Sequence, residues 1–217
     1  HDIDPKFSFI DLNRVGTPLL EIVSYPDLSS AEDVVNYMSS LRQTLMYIDV
    51  CDGNMQEGSL RADVNLSVRK PGGELGTRCE IKNLNSFKFI RQAIEFEFQR
   101  QIEVLEAGDS VEQNTMLFDT STGETRPMRS KEFSHDYRYF PDPDLLPLNL
   151  DKGLINKLKK DLPELPDQKK ERFIKEYNLS SYEANILVSE KEISEYYEEV
   201  IKGCDKKLAT NWITVEL

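Results

Sequence analysis

The sequence predicts an α+β fold: an antiparallel sheet flanked by helices over residues 1–150, then the start of an all-helical domain over residues 151–217. Three observations predict it. Between Leu60 and Val68 every even position is apolar (Leu60, Ala62, Val64, Leu66, Val68) and every odd one polar (Arg61, Asp63, Asn65, Ser67, Arg69), the period of a strand with one face on a core. Between Ser86 and Leu105 the apolar residues recur at helical spacing. Beyond Leu150 alternation stops, Pro147, Pro163 and Pro166 punctuate the chain, and only helical patterns remain.

The elements follow in order. Phe7–Leu12 and Thr17–Val23 read as strands, with Gly16 and Pro18 near the turn between them. Glu21 lies inside the second, a carboxylate that is costly in an apolar strand unless it is paired, binds a cation or sits at a wet edge. Ser30 reads as the N-cap of a helix, with Asp33 at the capping-box position and Val34, Met38, Leu41 and Leu45 as its apolar stripe against one face of the sheet. Asp52-Gly53-Asn54 turns into the first alternating run. Lys70-Pro71-Gly72-Gly73 breaks that run, and a second follows with Thr77, Cys79 and Ile81 on one side and Arg78, Glu80 and Lys82 on the other. Antiparallel pairing sets Arg61, Asp63 and Asn65 on the same face as Glu80 and Lys82. Asn83-Leu84-Asn85-Ser86 then gathers hydrogen-bonding side chains between a strand and a helix, a place where anions are often held. The helix runs from a Ser86 cap through Phe87, Ile90, Ile94, Phe98, Ile102 and Leu105 to a stop at Gly108. Val111–Asp119 and Thr125–Arg129 form a second hairpin. The run from Ser134 to Asp144 crowds His, Asp, Tyr and Arg; its composition suits a base, a ribose or a carboxylate, although a single His there is read as structural. Helices over Asp167–Tyr177, Ser181–Val188 and Ile193–Ile201 close the chain.

Composition narrows the function classes. With 217 residues, 39% hydrophobic and 30% charged, the chain can bury a real core. A net charge of −12 argues against a nucleic-acid binder that works by bulk positive charge, while leaving room for local basic patches or a basic partner. Three widely spaced cysteines (Cys51, Cys79, Cys204) make neither a disulfide framework nor a zinc motif and fit a reducing, cytoplasmic setting. No apolar run approaches the roughly 20 residues of a membrane span. Phosphate-loop, dinucleotide, kinase and serine-hydrolase signatures are missing. Residues alone therefore lead to a polar, charge-mixed site on a sheet.

Four segments carry a resemblance that goes further. They are Asp11 to Val23 (DLNRVGTPLLEIV), Glu57 to Arg61 (EGSLR), Glu80 to Phe87 (EIKNLNSF) and Asp136 to Pro141 (DYRYFP), with the Leu162-Pro163-Glu164-Leu165-Pro166 linker beyond them. Together they resemble, collinearly, the B subunits of tRNA-dependent amidotransferases. The resemblance implies an ATP- and Mg²⁺-dependent ligase subunit that phosphorylates the side-chain carboxylate of Glu-tRNA(Gln) or Asp-tRNA(Asn). Ammonia from glutamine, released by an amidase-type A subunit, then displaces the phosphate, and a small C subunit braces the other two. It also implies that residues 1–150 are the later part of a catalytic cradle domain. Glu21 and Glu80 stand at the family's metal positions. Arg61 and Lys82 are the candidates for phosphate or substrate contacts, and Asn83 and Asn85 for orienting amides at the nucleotide. The competing expectation is a non-catalytic, tRNA-docking scaffold subunit. Tyr25 departs from the glutamate of many members. Both ends look cut, and the family's Glu-x-His metal ligands precede His1, so weak Mg²⁺–ATP binding and no transamidation are expected of these 217 residues by themselves.

Overall fold

The computed structural model describes residues 10, 12, 13, 15–128 and 146–216. The run from Ser134 to Asp144 and most of the predicted strand Phe7–Leu12 lie outside the described residues. Four strands form one sheet in the order β1 (Ala62–Leu66), β2 (Cys79–Leu84), β3 (Thr115–Asp119), β4 (Glu124–Pro127). The α+β class stands, but the sheet is mixed rather than antiparallel. β1 pairs antiparallel with β2, and β3 with β4, while β2 and β3 run parallel. The physical reason lies in the connection: α2 (Phe87–Glu106) intervenes between β2 and β3, and a helical crossover returns the chain in the same direction.

Local chemistry fixes the helix ends. Ser30 Oγ accepts the Asp33 amide at 3.0 Å and opens α1 (Ala31–Tyr47). Ser86 Oγ accepts the Phe89 amide at 3.1 Å and opens α2. Past Glu106 the chain turns at Gly108, whose φ of +86° is easy only for glycine. α1 packs on α2 and reaches α4 (Pro166–Tyr177), so it covers the helix and not, as expected, the sheet itself. The inner sheet face meets α2 in a core of Cys79, Ile81, Leu84, Ile90, Ala93, Met116 and Phe118. Each large side chain buried there contributes about 1.5–3 kcal/mol. The expected α2 stripe is rotated in fact: Phe98 and Leu105 are exposed, and Glu97 and Gln101 take the buried positions after Ile90 and Ile94.

The expected strand Thr17–Val23 is not one. Its residues are non-regular and exposed, Leu19 at 91%. Strand propensity becomes a strand only where a neighbour supplies main-chain partners, and none of the described residues lies in register beside it. Beyond residue 150, α3 (Lys152–Asp161) buries none of its side chains. α4, α5 (Ser181–Leu187), α6 (Lys191–Val200) and α7 (Lys206–Asn211) with a π-helical turn Trp212–Glu216 enclose a second core of Phe173, Leu187, Val188, Tyr197 and Ile213. α1 is fastened to this second group by polar bonds. Gln43 Nε2 and Tyr47 Oη donate to the Val188 carbonyl at 2.6 and 2.7 Å, capping the C-terminus of α5 from outside.

Candidate functional site: a charged face on strands β1 and β2

Between the pairs Ala62↔Leu84 and Val64↔Ile81, β1 contains only Asp63 while β2 contains Lys82 and Asn83. That is a β-bulge, an extra residue on one strand that re-aims the side chains around it. Asn83 holds a φ of +69°, a left-handed conformation that asparagine tolerates better than other residues with a Cβ. Its Nδ2 donates to the Phe118 carbonyl at 2.9 Å. The sheet pairs Glu80↔Thr115, Ile81↔Met116 and Lys82↔Leu117 precede this bond, so the side-chain amide continues the ladder onto β3. Unbroken alternation would put Leu84 outside with Glu80 and Lys82. The bulge turns it inward, where it is 4% exposed.

Lys82 stays on the outer face. Its Nζ lies 3.0 Å from Asp63 Oδ2 and 3.2 Å from Glu80 Oε1. Glu80 Oε2 accepts the Thr115 hydroxyl at 3.2 Å, and Asn65 stands opposite Glu80 across the pair. The bond to Asp63 is the main cause that holds the Lys82 amine above its ordinary range; burial works against it and Glu80 adds to it. Lys82 is therefore a fixed cation. The side chains of Lys82, Asp63 and Glu80 keep 39%, 48% and 34% of their exposure. Ion pairs this wet contribute about 0–1 kcal/mol to stability, so folding by itself does not require the trio. Two carboxylates and one ammonium sum to −1, and that net charge draws cations and repels a bare phosphate.

The sequence-predicted residues separate into those brought together and those left apart. Glu80 and Lys82 meet, with Asp63 as the third member. Arg61 precedes β1, is exposed, and donates from Nε to the Gly58 carbonyl at 3.4 Å. Asn85 follows β2, is exposed, and lines a cavity of about 400 Å³ with Arg42, Asn54 and Ser86. Glu21 lies exposed on the irregular segment and makes no hydrogen bond or ion pair among the described residues. No three His, Cys, Asp or Glu side chains gather at a metal-holding position among the described residues. Thr115 was missed from the sequence. Its signal was the strand–helix–strand order, which places the first residue of β3 beside Glu80.

Behind the sheet lies a polar network that the periodicity did not reveal. Glu97 is fully buried. It accepts from Arg100 Nη2 at 2.6 Å, Arg100 Nε at 2.9 Å, Gln101 Nε2 at 2.9 Å and Thr125 Oγ1 at 2.7 Å. Burial pushes its carboxyl up, and the bonds from Arg100, Gln101 and Thr125 more than offset that and hold it below the usual carboxylate range. Gln101 Nε2 also lies 3.2 Å from the Leu66 carbonyl, so the network ties α2 to both β1 and β4.

Residues 1–156 match the family model described as the GatB/GatE catalytic domain. All 217 residues align with proteins named as the B subunit of aspartyl/glutamyl-tRNA(Asn/Gln) amidotransferase. Identity is 60% to that of Allorhizobium ampelinum, 58% to that of Sinorhizobium fredii and 59% to that of Methylobacterium nodulans. The chain spans 43%, 43% and 44% of the length of these relatives.

Proposed function

The chain belongs to the GatB/GatE catalytic-domain family, and from that membership we propose that it carries part of the phosphorylating site of a tRNA-dependent amidotransferase. The substrate is the side-chain carboxylate of Glu-tRNA(Gln) or Asp-tRNA(Asn). That carboxylate takes the terminal phosphoryl group of ATP, ADP leaves, and ammonia then attacks the acyl carbon and expels phosphate. The ammonia comes from glutamine hydrolysed by an amidase-type A subunit, and a small C subunit completes the assembly. The relatives' name, which gives them as amidotransferase subunits acting with these two tRNAs, supports the reading. The observation that carries it is the Asp63–Lys82–Glu80 trio on rigid strands.

Phosphoryl transfer asks a protein mainly for positioning and for fixed charge. Lys82 supplies an ammonium already oriented by two carboxylates, aimed at charge that develops on phosphoryl oxygens. Arg61 supplies a second cation just before the neighbouring strand β1, and Asn85 an orienting amide beside the cavity. The donor set fits Mg²⁺, which favours one or two carboxylates and keeps several waters. Asp63 and Glu80 are carboxylates of that kind, one-third to one-half exposed. Glu80 is the proposed metal carboxylate on the sheet, and Glu21, which stands apart on the irregular segment, is the proposed second one; the ion would supply charge neutralisation at the phosphates. The outer face mixes both signs in ion pairs, with Asp63, Glu80 and Asp119 against Lys82 and Arg126. A scaffold that docked tRNA here would need a continuous basic strip instead, and the mixed face disfavours that reading.

The test is the full-length complex with ATP labelled at the γ-phosphate, given each mischarged tRNA without glutamine. Label should accumulate on the aminoacyl group of at least one of them, and Lys82→Met should lower the rate about 10²–10³-fold. No labelling of either tRNA by an otherwise active complex would overturn the proposal.

A further inference from the structure

We infer that Asn83 is a positioning residue, the left-handed member of the β-bulge that aligns Lys82 with Asp63 and Glu80. The inference rests on the reading of the trio as the phosphorylating site. The residue's composition and its place after Lys82 suggest an amide that touches the ligand, but its geometry engages it elsewhere. Its backbone is left-handed, with φ +69°. Its Nδ2 is bound to the Phe118 carbonyl at 2.9 Å. With Lys82 it is one of the two residues that the register Ala62↔Leu84, Val64↔Ile81 sets against the single Asp63.

Three consequences depend on that one backbone. Leu84 reaches the core beside Ala62, both packed in the cluster that α2 covers. Lys82 sits opposite Asp63, close enough for the 3.0 Å bond. Ser86 falls where it caps α2, two residues after Leu84. If residue 83 returned to ordinary extended backbone, the bulge would be lost. One register step flips every later side chain, so either Leu84 would face solvent or Lys82 would turn away from Asp63.

Glycine and valine at position 83 separate the two roles. Glycine keeps the positive φ without strain and loses the amide; valine loses the amide and resists the left-handed region. Phosphorylation by the full complex should follow the order Asn83, then Asn83→Gly within about tenfold, then Asn83→Val lower by about 100-fold or more, the scale of a roughly 1 Å misplacement. The loss should fall on kcat, with the KM for ATP little changed. In the 217-residue chain, the ¹⁵N-resolved NMR signal of the Lys82 ammonium, slowed in exchange by Asp63, should persist in Asn83→Gly and vanish in Asn83→Val. Should the valine variant fail to fold, Asn83→Ala, which is milder at positive φ, gives the same ordering. Equal losses in the glycine and valine variants with a raised KM and an intact Lys82 signal would make Asn83 a ligand contact and overturn the inference. So would a valine variant indistinguishable from the parent. A complex that phosphorylates nothing while the Lys82 signal still follows the Gly/Val pattern would overturn the functional reading and leave the bulge assignment standing.

Discussion

Replacing Glu97 with glutamine removes one charge from the middle of the α2–sheet junction without changing the side chain's shape. The carboxylate receives four bonds, from Arg100 Nη2 and Gln101 Nε2 on one oxygen and from Arg100 Nε and Thr125 Oγ1 on the other. An amide keeps one oxygen and puts an NH₂ in place of the second, so an Arg100 donor loses its acceptor whichever way it is turned, and so does the neutral donor on that side unless it is Thr125 with its hydroxyl reversed to accept. One lost bond is to a guanidinium, worth about 1.5–3 kcal/mol, and one is neutral, worth about 0.5–1.5 kcal/mol. The Arg100 side chain is 30% exposed and can regain water, which keeps the total near 2–4 kcal/mol. For a chain of this length that lowers Tm by on the order of 5–15 °C. Calorimetry and urea unfolding measure it. The pH dependence adds a second reading. Because the folded state holds Glu97 below its unfolded pKa, its contribution is complete above that unfolded value, about 4.3. It is lost as pH falls through the lower folded value. Glu97→Gln should therefore be destabilised most at neutral pH and should lose part of the parent's acid limb. Pairing it with Arg100→Met should recover part of the loss, since the two residues form one unit. A Tm within about 1 °C of the parent with the same acid limb would show that the buried carboxylate does not hold α2 to the sheet.

The remaining expectations are smaller. Ser86→Ala should cost about 1 kcal/mol by removing the cap of α2, read from the urea midpoint at constant m. A Cβ at Gly76 would run into the Val68 carbonyl oxygen, so Gly76→Ala should destabilise the β1–β2 hairpin, with faster amide exchange in those strands than in α2. Tyr47→Phe removes one of two donors to the Val188 carbonyl and should cost about 1 kcal/mol. Exchange should quicken in the last turn of α5, and unchanged protection there would show that α1 does not cap it.

Several features could be read from residues alone, and for identifiable reasons. The caps of α1 and α2, the Gly108 stop and the β1–β2 pairing follow from local chemistry that tertiary contacts did not override. Alternation does not reveal the parallel β2–β3 pair, because it reports which face a side chain takes and says nothing of strand direction. The intervening helix held that information. Leu84 broke the alternation of β2 because Asn83 adopts a backbone that single residues do not announce. Glu97 and Gln101 read as the outer side of α2 because polarity normally marks solvent. Their partners, Arg100 three residues on from Glu97 and Thr125 on a distant strand, make the burial possible. α3 had its signals too: the cap at Asp151, Leu154, Ile155 and Leu158 at helical spacing, and Lys159 and Lys160 in the last turn. At the site, Glu80 and Lys82 came from alternation and resemblance together. Thr115 needed the crossover, and Glu21 belongs to a predicted strand that lacks a neighbour among the described residues.

The proposed chemistry rests on Glu80, whose carboxylate contacts both Lys82 and Thr115. The most direct measurement is acyl-phosphate formation by the full-length complex carrying Glu80→Gln, given Mg²⁺, γ-labelled ATP and mischarged tRNA, with glutamine hydrolysis assayed beside it. Transfer of label to the aminoacyl group should be abolished while the partner's glutaminase activity stays largely intact. Normal labelling by Glu80→Gln would contradict the assignment of the phosphorylating site to this face of the sheet.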